Sequence, residues 1–151
     1  MLALLVIVVI LTLVFDYING FHDSANAIAT IVSTRVMTPV VAVTYGAALN
    51  FIGALMGTEV AATIGKGMVD APSITVYIVL CTVVAAIIWI LITGYKGLPT
   101  SSSHAIIGSL LGATFVSGAA GGGDILWDTV VQKELVPMVG SPVIGMVMGF
   151  A

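Results

Sequence analysis

Of the 151 residues, 60% are hydrophobic and only 7% are charged, and the formal net charge is -3. A soluble domain of this length wets its surface with about a quarter charged residues, so the composition excludes one and specifies an integral membrane protein. A single cysteine excludes an intrachain disulfide framework. Four Lys and Arg without a basic run exclude nucleic acid as a partner.

Apolar segments fall at 1–15, 24–34, 36–57, 73–94, 105–120 and 135–151. A helix needs about 20 apolar residues to cross the hydrocarbon, and tilt stretches that figure. Segments 36–57 and 73–94 qualify alone. Segment 1–15 reaches that length only by running on through the polar stretch after it, to about Thr34. No basic residues precede it, which argues against a signal peptide. Segment 105–120 is short, and the last segment stops at Phe150-Ala151 without a polar flank, as an unfinished span or a cut chain would. Gly53 and Gly57, Gly108 and Gly112, and Gly145 and Gly149 are small-residue pairs one turn apart. Such pairs let helix backbones approach and predict a bundle, but they carry no chemistry. Cys81, inside an apolar run, reads as a packing residue.

The first polar stretch, DYINGFHDSANA at 16–27, interrupts residues that otherwise suit lipid. Taken as one helix, residues 12–34 place Thr12, Asp16, Asn19, Asp23, Asn26, Thr30 and Thr34 at steps of three and four. At about 100° per residue they form one stripe facing away from lipid. Ionisable groups at membrane depth cost a few kcal/mol each and typically line a pathway or a binding cavity. The plainer alternative is an interfacial loop, for which Asn19-Gly20 is a plausible turn. Gly20 also predicts an interrupted span. A break at Asn19 to His22 would aim the free N–H groups of a half-helix into the bundle, a recurring device of secondary transporters.

The second stretch is GLPTSSSHAIIG at 97–108. Pro99 is expected to halt the preceding helix, and Thr100, Ser101, Ser102 and Ser103 supply hydroxyls at the start of the next. Ser and Thr cap helices, and a helix N-terminus receives anions. Four hydroxyls exceed what capping requires. An ordinary capped loop at the interface is one reading; a re-entrant helix pair whose tip reaches the interior is the other. His104 reads as proton-linked or as a hydrogen-bonded structural histidine.

Together, NGFHDSANAIAT and LPTSSSHAIIG resemble the inorganic phosphate transporter (Pit/PHO4) family of cation-coupled symporters. The family signature, G-x-x-D-x-A-N-A, is matched by Gly20, Asp23, Ala25, Asn26 and Ala27. Its second element, a Pro followed by a Thr/Ser run and His, is matched by Pro99 to His104. Some members carry Asn before the signature Asp; here it is His22, as in many bacterial members. The resemblance implies an all-α multi-pass bundle, no enzymatic activity and no cofactor beyond Na+ or H+ as coupling ion. It further implies inorganic phosphate as substrate, lipid as surroundings and the cell membrane as location. Members carry two inverted copies of this unit, and one is visible here. Residues 1–151 are therefore expected to be the N-terminal transmembrane repeat, completed by a second repeat of the same polypeptide or by an antiparallel homodimer.

The residues suit that chemistry. Hydroxyls and helix N-termini bind an anion without fixed positive charge, which makes Asp23, Asn26 and Thr100 to Ser103 the phosphate-site candidates. A carboxylate can accept a hydrogen bond from the P–OH of phosphate, whereas sulfate has no proton to give, so Asp23 can discriminate between them. Alternatively Asp23 or Asp16 holds the coupling cation, since hard cations prefer oxygen ligands. Asn19, Asn50 and Glu59 complete the cation candidates, and His22 and His104 are the proton-linked ones. Asp70, Asp124 and Asp128 read as solvated, and Lys133-Glu134 as a surface pair ahead of the last span. Trp89, Tyr95 and Trp127 suit interface belts. A sulfate or other oxyanion permease and a channel or structural membrane module are the competing functions. Arg35 and Lys96 lean towards the cytoplasm against Lys66, by a margin of one residue.

Overall fold

The computed structural model describes residues 1–56, 69, 74–119 and 125–150. Among the described residues the chain forms five helices and one isolated antiparallel bridge, between Val69 and Ile125. The helices are α1 (Leu2–Ser33), α2 (Pro39–Met56), α3 (Val76–Tyr95), α4 (Ser102–Ala119) and α5 (Trp127–Phe150), the last containing a π-helical turn at Val131–Leu135. All except α4 are long and apolar enough to cross a membrane. The all-α membrane bundle expected from composition is the one observed.

The interruption expected in the first span is absent. α1 runs for 32 residues as one helix through Asn19, Gly20 and His22. A glycine inside a helix costs about 1 kcal/mol, whereas each backbone group released into hydrocarbon by a break costs several. Phe15, Ile18 and His22, on both sides of Gly20, are also packed onto α3. A Cβ on Gly20 would meet nothing within 4 Å, so this glycine serves no close approach either.

The chain reverses after α1 at Arg35, whose φ of 59° is left-handed, and the Val36 N–H donates to the Ile31 carbonyl at 3.1 Å. Pro39 then opens α2 at the first helical position, where its missing N–H costs nothing. α2 returns along α1, with Ile28 3.6 Å from where a Gly46 Cβ would stand. Thr75 caps α3 by accepting the Ile78 N–H. α3 ends at Gly97 rather than at Pro99. With φ of 64°, Gly97 lets the Leu98 N–H reach back to the Thr93 carbonyl at 2.9 Å, the usual glycine stop of a helix. Pro99 follows and prevents the helix from resuming.

Two apolar clusters hold the bundle. Phe15, Val83, Ala86, Ile90 and Ala105 join α1, α3 and α4; Val69, Ile78, Ile107, Leu110 and Val130 tie α3 and α4 to α5. Phe15 shares its cluster with Ala86 and Ile90, and two turns on His22 meets Gly94, so α1 and α3 run parallel. α3 stops there, while α1 continues ten residues from Asp23 to Ser33, about 15 Å. The tip of the α3–α4 hairpin therefore lies inside the bundle, well short of the end of α1.

Ala86 is fully buried where α1 and α3 meet. Ala86→Leu should overpack this seam and cost about 1–3 kcal/mol, lowering the unfolding midpoint in detergent. Leu13→Ala, on the exposed face of α1, should leave it unchanged. An unaltered Ala86→Leu midpoint would mean that the seam is not packed in this way.

Candidate functional site

The four hydroxyls at the start of α4 do four different things. Thr100 Oγ1 lies 3.1 Å from Thr93 Oγ1 on α3, joining the two arms of the hairpin. Ser101 caps α4, its Oγ accepting the His104 N–H at 3.4 Å. Ser102 Oγ donates to Asp23 Oδ2 at 3.0 Å, across 79 residues of sequence. Ser103 is exposed. The first bond of α4 runs from the Ala105 N–H to the Ser101 carbonyl. The N–H groups of Ser102 and Ser103 precede it and are open to a ligand.

Asp23 is the meeting point. Its Oδ2 takes the Ser102 hydroxyl and its Oδ1 stands 3.4 Å from His22 Nδ1. The carboxylate is 44% exposed and the histidine 14%. Among the described residues, no Lys or Arg lies within ion-pair distance of Asp23. One turn before Asp23, Asn19 buries its Oδ1 without any hydrogen-bond partner. A buried oxygen in that state costs about 1–3 kcal/mol unless a ligand satisfies it.

The rest of the predicted stripe is less gathered. Thr12 returns its hydroxyl to the Val8 carbonyl, and Thr34 returns its own to Thr30. Asp16 is exposed two turns before Asp23, and Asn26 is exposed one turn beyond it. Asn50, on α2, is also exposed and joins none of these groups. Glu59, Asp70 and Asp124 lie outside the described residues. Asp128 is exposed. Among the described residues, no three His, Cys, Asp or Glu gather into a metal-binding group.

His104 turns away from Asp23, its Nε2 3.9 Å from Glu134 Oε2. Glu134 is thus not part of a surface pair ahead of the last span. It sits within α5 on the π-helical turn and is only 22% exposed, while Lys133 beside it is exposed.

Two concavities are lined by residues close in sequence to Asp23 and Ser102. A hollow of about 940 Å³ between α1, α2 and the hairpin is lined by His22, Asn26, Tyr95 and Pro99 among others. A groove of about 560 Å³ along α3 and α4 is lined by Trp89, Thr100, Ser101 and His104 among others. Asp23 and Ser102 line neither, although their chain neighbours His22, Ser24 and Ser101 do.

Sequence reasoning missed Thr93 and Gly94. Thr93 is 2% exposed and bonds the Trp89 and Ile90 carbonyls as well as Thr100. Its one visible signal was a lone hydroxyl next to a glycine at the end of an apolar run.

A model described as the phosphate transporter family matches residues 19–151. A probable low-affinity inorganic phosphate transporter of Streptomyces halstedii is 46% identical over 151 residues, spanning 99% of this chain and 69% of that one. A protein of the same description from Mycobacterium bovis is 45% identical, spanning 98% of this chain and 35% of its own length. A solved structure described as the sodium-dependent phosphate transporter superposes with a TM-score of 0.86 at 34% identity, over 98% of this chain and 38% of that one. The chain thus spans little more than a third of the last two proteins. Asp23, Asn26 and the Thr100 to His104 run all fall within the matched segment, and the chain is a membrane protein that belongs to the phosphate transporter family.

Proposed function

We propose that this chain supplies one half of a cation-coupled phosphate symporter of the cell membrane, with Asp23, Asn26 and Thr100 to Ser103 as its share of the phosphate site. The observation that carries this reading is the 3.0 Å hydrogen bond from Ser102 to Asp23, which joins the two polar motifs inside an apolar bundle. Phosphate at neutral pH presents both P–O⁻ acceptors and a P–OH donor. The hydroxyls and the first N–H groups of α4 suit the acceptors; Asp23 suits the donor. Phosphate entering there takes over both halves of the existing hydrogen bond. It accepts the hydrogen bond of the Ser102 hydroxyl and donates its own P–OH hydrogen bond to the carboxylate.

Asp23 weighs against sulfate or another fully ionised oxyanion, which would bring it no proton. A channel or structural module has no use for a carboxylate held against a hydroxyl-rich helix start. For the coupling ion, the unpartnered Asn19 Oδ1 supports a cation site one turn from Asp23. Asp16, Asn50 and Glu59 are the further proposed ligands, and His22 and His104 the alternatives for a proton. The sodium dependence of the structural relative favours Na+. The exposed Asp16 and Asn26 leave polar surface to be covered by a second copy of the fold. The C-terminal half of a longer polypeptide is the ordinary source, and an antiparallel homodimer is the other.

Phosphate uptake into proteoliposomes of a full-length parent polypeptide, under a cation gradient, tests the site. Asp23→Asn should cut uptake about 10- to 100-fold, as expected for a lost hydrogen bond to a charged group, and should raise sulfate relative to phosphate. Ser102→Ala should weaken phosphate binding and spare cation binding. Wild-type rates and selectivity in Asp23→Asn would remove that residue from the mechanism.

Reconstituted alone, residues 1–151 should give no cation-driven uptake. Robust uptake, with both membrane orientations detected by labelling, would establish the homodimer instead.

A further inference from the structure

We propose that His22 is a positioning residue, seated against Gly94 so that its ring fixes the carboxylate of Asp23. The functional consequence rests on the phosphate-site reading above. Consecutive residues of an α-helix diverge by about 100° and do not face one another. His22 and Asp23 nevertheless approach to 3.4 Å, Nδ1 to Oδ1. The cause is on α3. The His22 ring is drawn over Gly94, where a Cβ would stand only 3.2 Å from its Cδ2, and the side chain is 14% exposed. A Cβ at 94 would crowd the ring, which would have to give by a few tenths of an ångström.

The two oxygens of Asp23 are then divided between two donors, Oδ1 to His22 and Oδ2 to Ser102. A carboxylate held at both oxygens does not rotate, so the edge it offers to a P–OH is set before the ligand arrives. Without His22, a side chain that is 44% exposed would hang on one hydroxyl. Nδ1 can donate only when it carries the proton, which leaves Nε2 of the neutral ring as an acceptor. That tautomer belongs to the proposal.

Transport and spectroscopy test it separately. In proteoliposomes of a full-length parent polypeptide that carries this chain, His22→Ala should raise the KM for phosphate about tenfold and change the maximal rate less than twofold. His22→Asn, whose amide can donate from a similar position, should restore most of the affinity. Gly94→Ala, which keeps His22 and Asp23 but crowds the ring, should raise the KM in the same direction by a smaller factor. Equal losses in the Ala and Asn variants, or a fall in maximal rate alone, would overturn the positioning role.

The second arm needs no transport. The chain has two histidines, so ¹⁵N-histidine NMR in bilayers resolves His22 by comparison with His104→Gln. His22 should carry its proton on Nδ1 and revert to the Nε2–H form in Asp23→Ala. An Nε2–H ring in the wild type, or a ring indifferent to Asp23→Ala, overturns the proposal. Failure of wild-type phosphate uptake would instead count against the transport reading, with the NMR result still deciding the role of His22.

Discussion

Hydrocarbon offers no partner to a peptide group, and most of this structure follows from that. α1 stays helical through Gly20 because the alternative releases backbone groups into lipid. Thr12, Thr44 and Thr82 fold their hydroxyls back onto carbonyls of their own helices for the same reason. Where the chain must turn inside the bundle, between α3 and α4, several polar groups find partners within the hairpin. Gly97 closes α3, Thr93 and Thr100 share a hydrogen bond, and Ser101 caps α4. Asn19 Oδ1, which with Thr114 Oγ1 is a buried side-chain oxygen without a partner, lies one turn before the carboxylate that receives a bond from the hairpin.

The lengths of α1 and α3 matter as much as their contacts. Both start at one level, but α3 ends where Asp23 lies and α1 continues, flanked by α2. The space under the hairpin tip is the 940 Å³ hollow, and the groove lies on the other side of the tip. A span of uniform length in every helix would have carried the turn out to the interface.

Much of this was legible because polar residues in apolar sequence are costly. The stripe from Asp16 to Asn26 and the Thr100 to Ser103 run stood out for that reason, and two of their members touch. The break at Gly20 was misread because local propensity is a small term beside backbone desolvation and the packing of Phe15 and Ile18 on α3. Gly94 could not be read at all. Its role depends on a histidine 72 positions away, and a glycine in a membrane helix has many ordinary uses. Glu134 looked like half of a surface pair because its neighbour is a lysine; the π-helical turn that aims it at His104 has no marker in the sequence.

The division of labour among the four hydroxyls bears on how such a sequence can change. In composition Thr100 to Ser103 is a repetitive tract, the kind in which copying slips by one unit. In structure each register position points to its own partner: Thr93, the helix cap, Asp23 and open space. Substituting one member removes one partner, and its neighbours keep theirs. Gaining or losing one member turns everything after it by about 100°, carrying the hydroxyl away from Asp23 while leaving the composition almost untouched. A substitution in the tract therefore removes one contact, and a change in its length removes several.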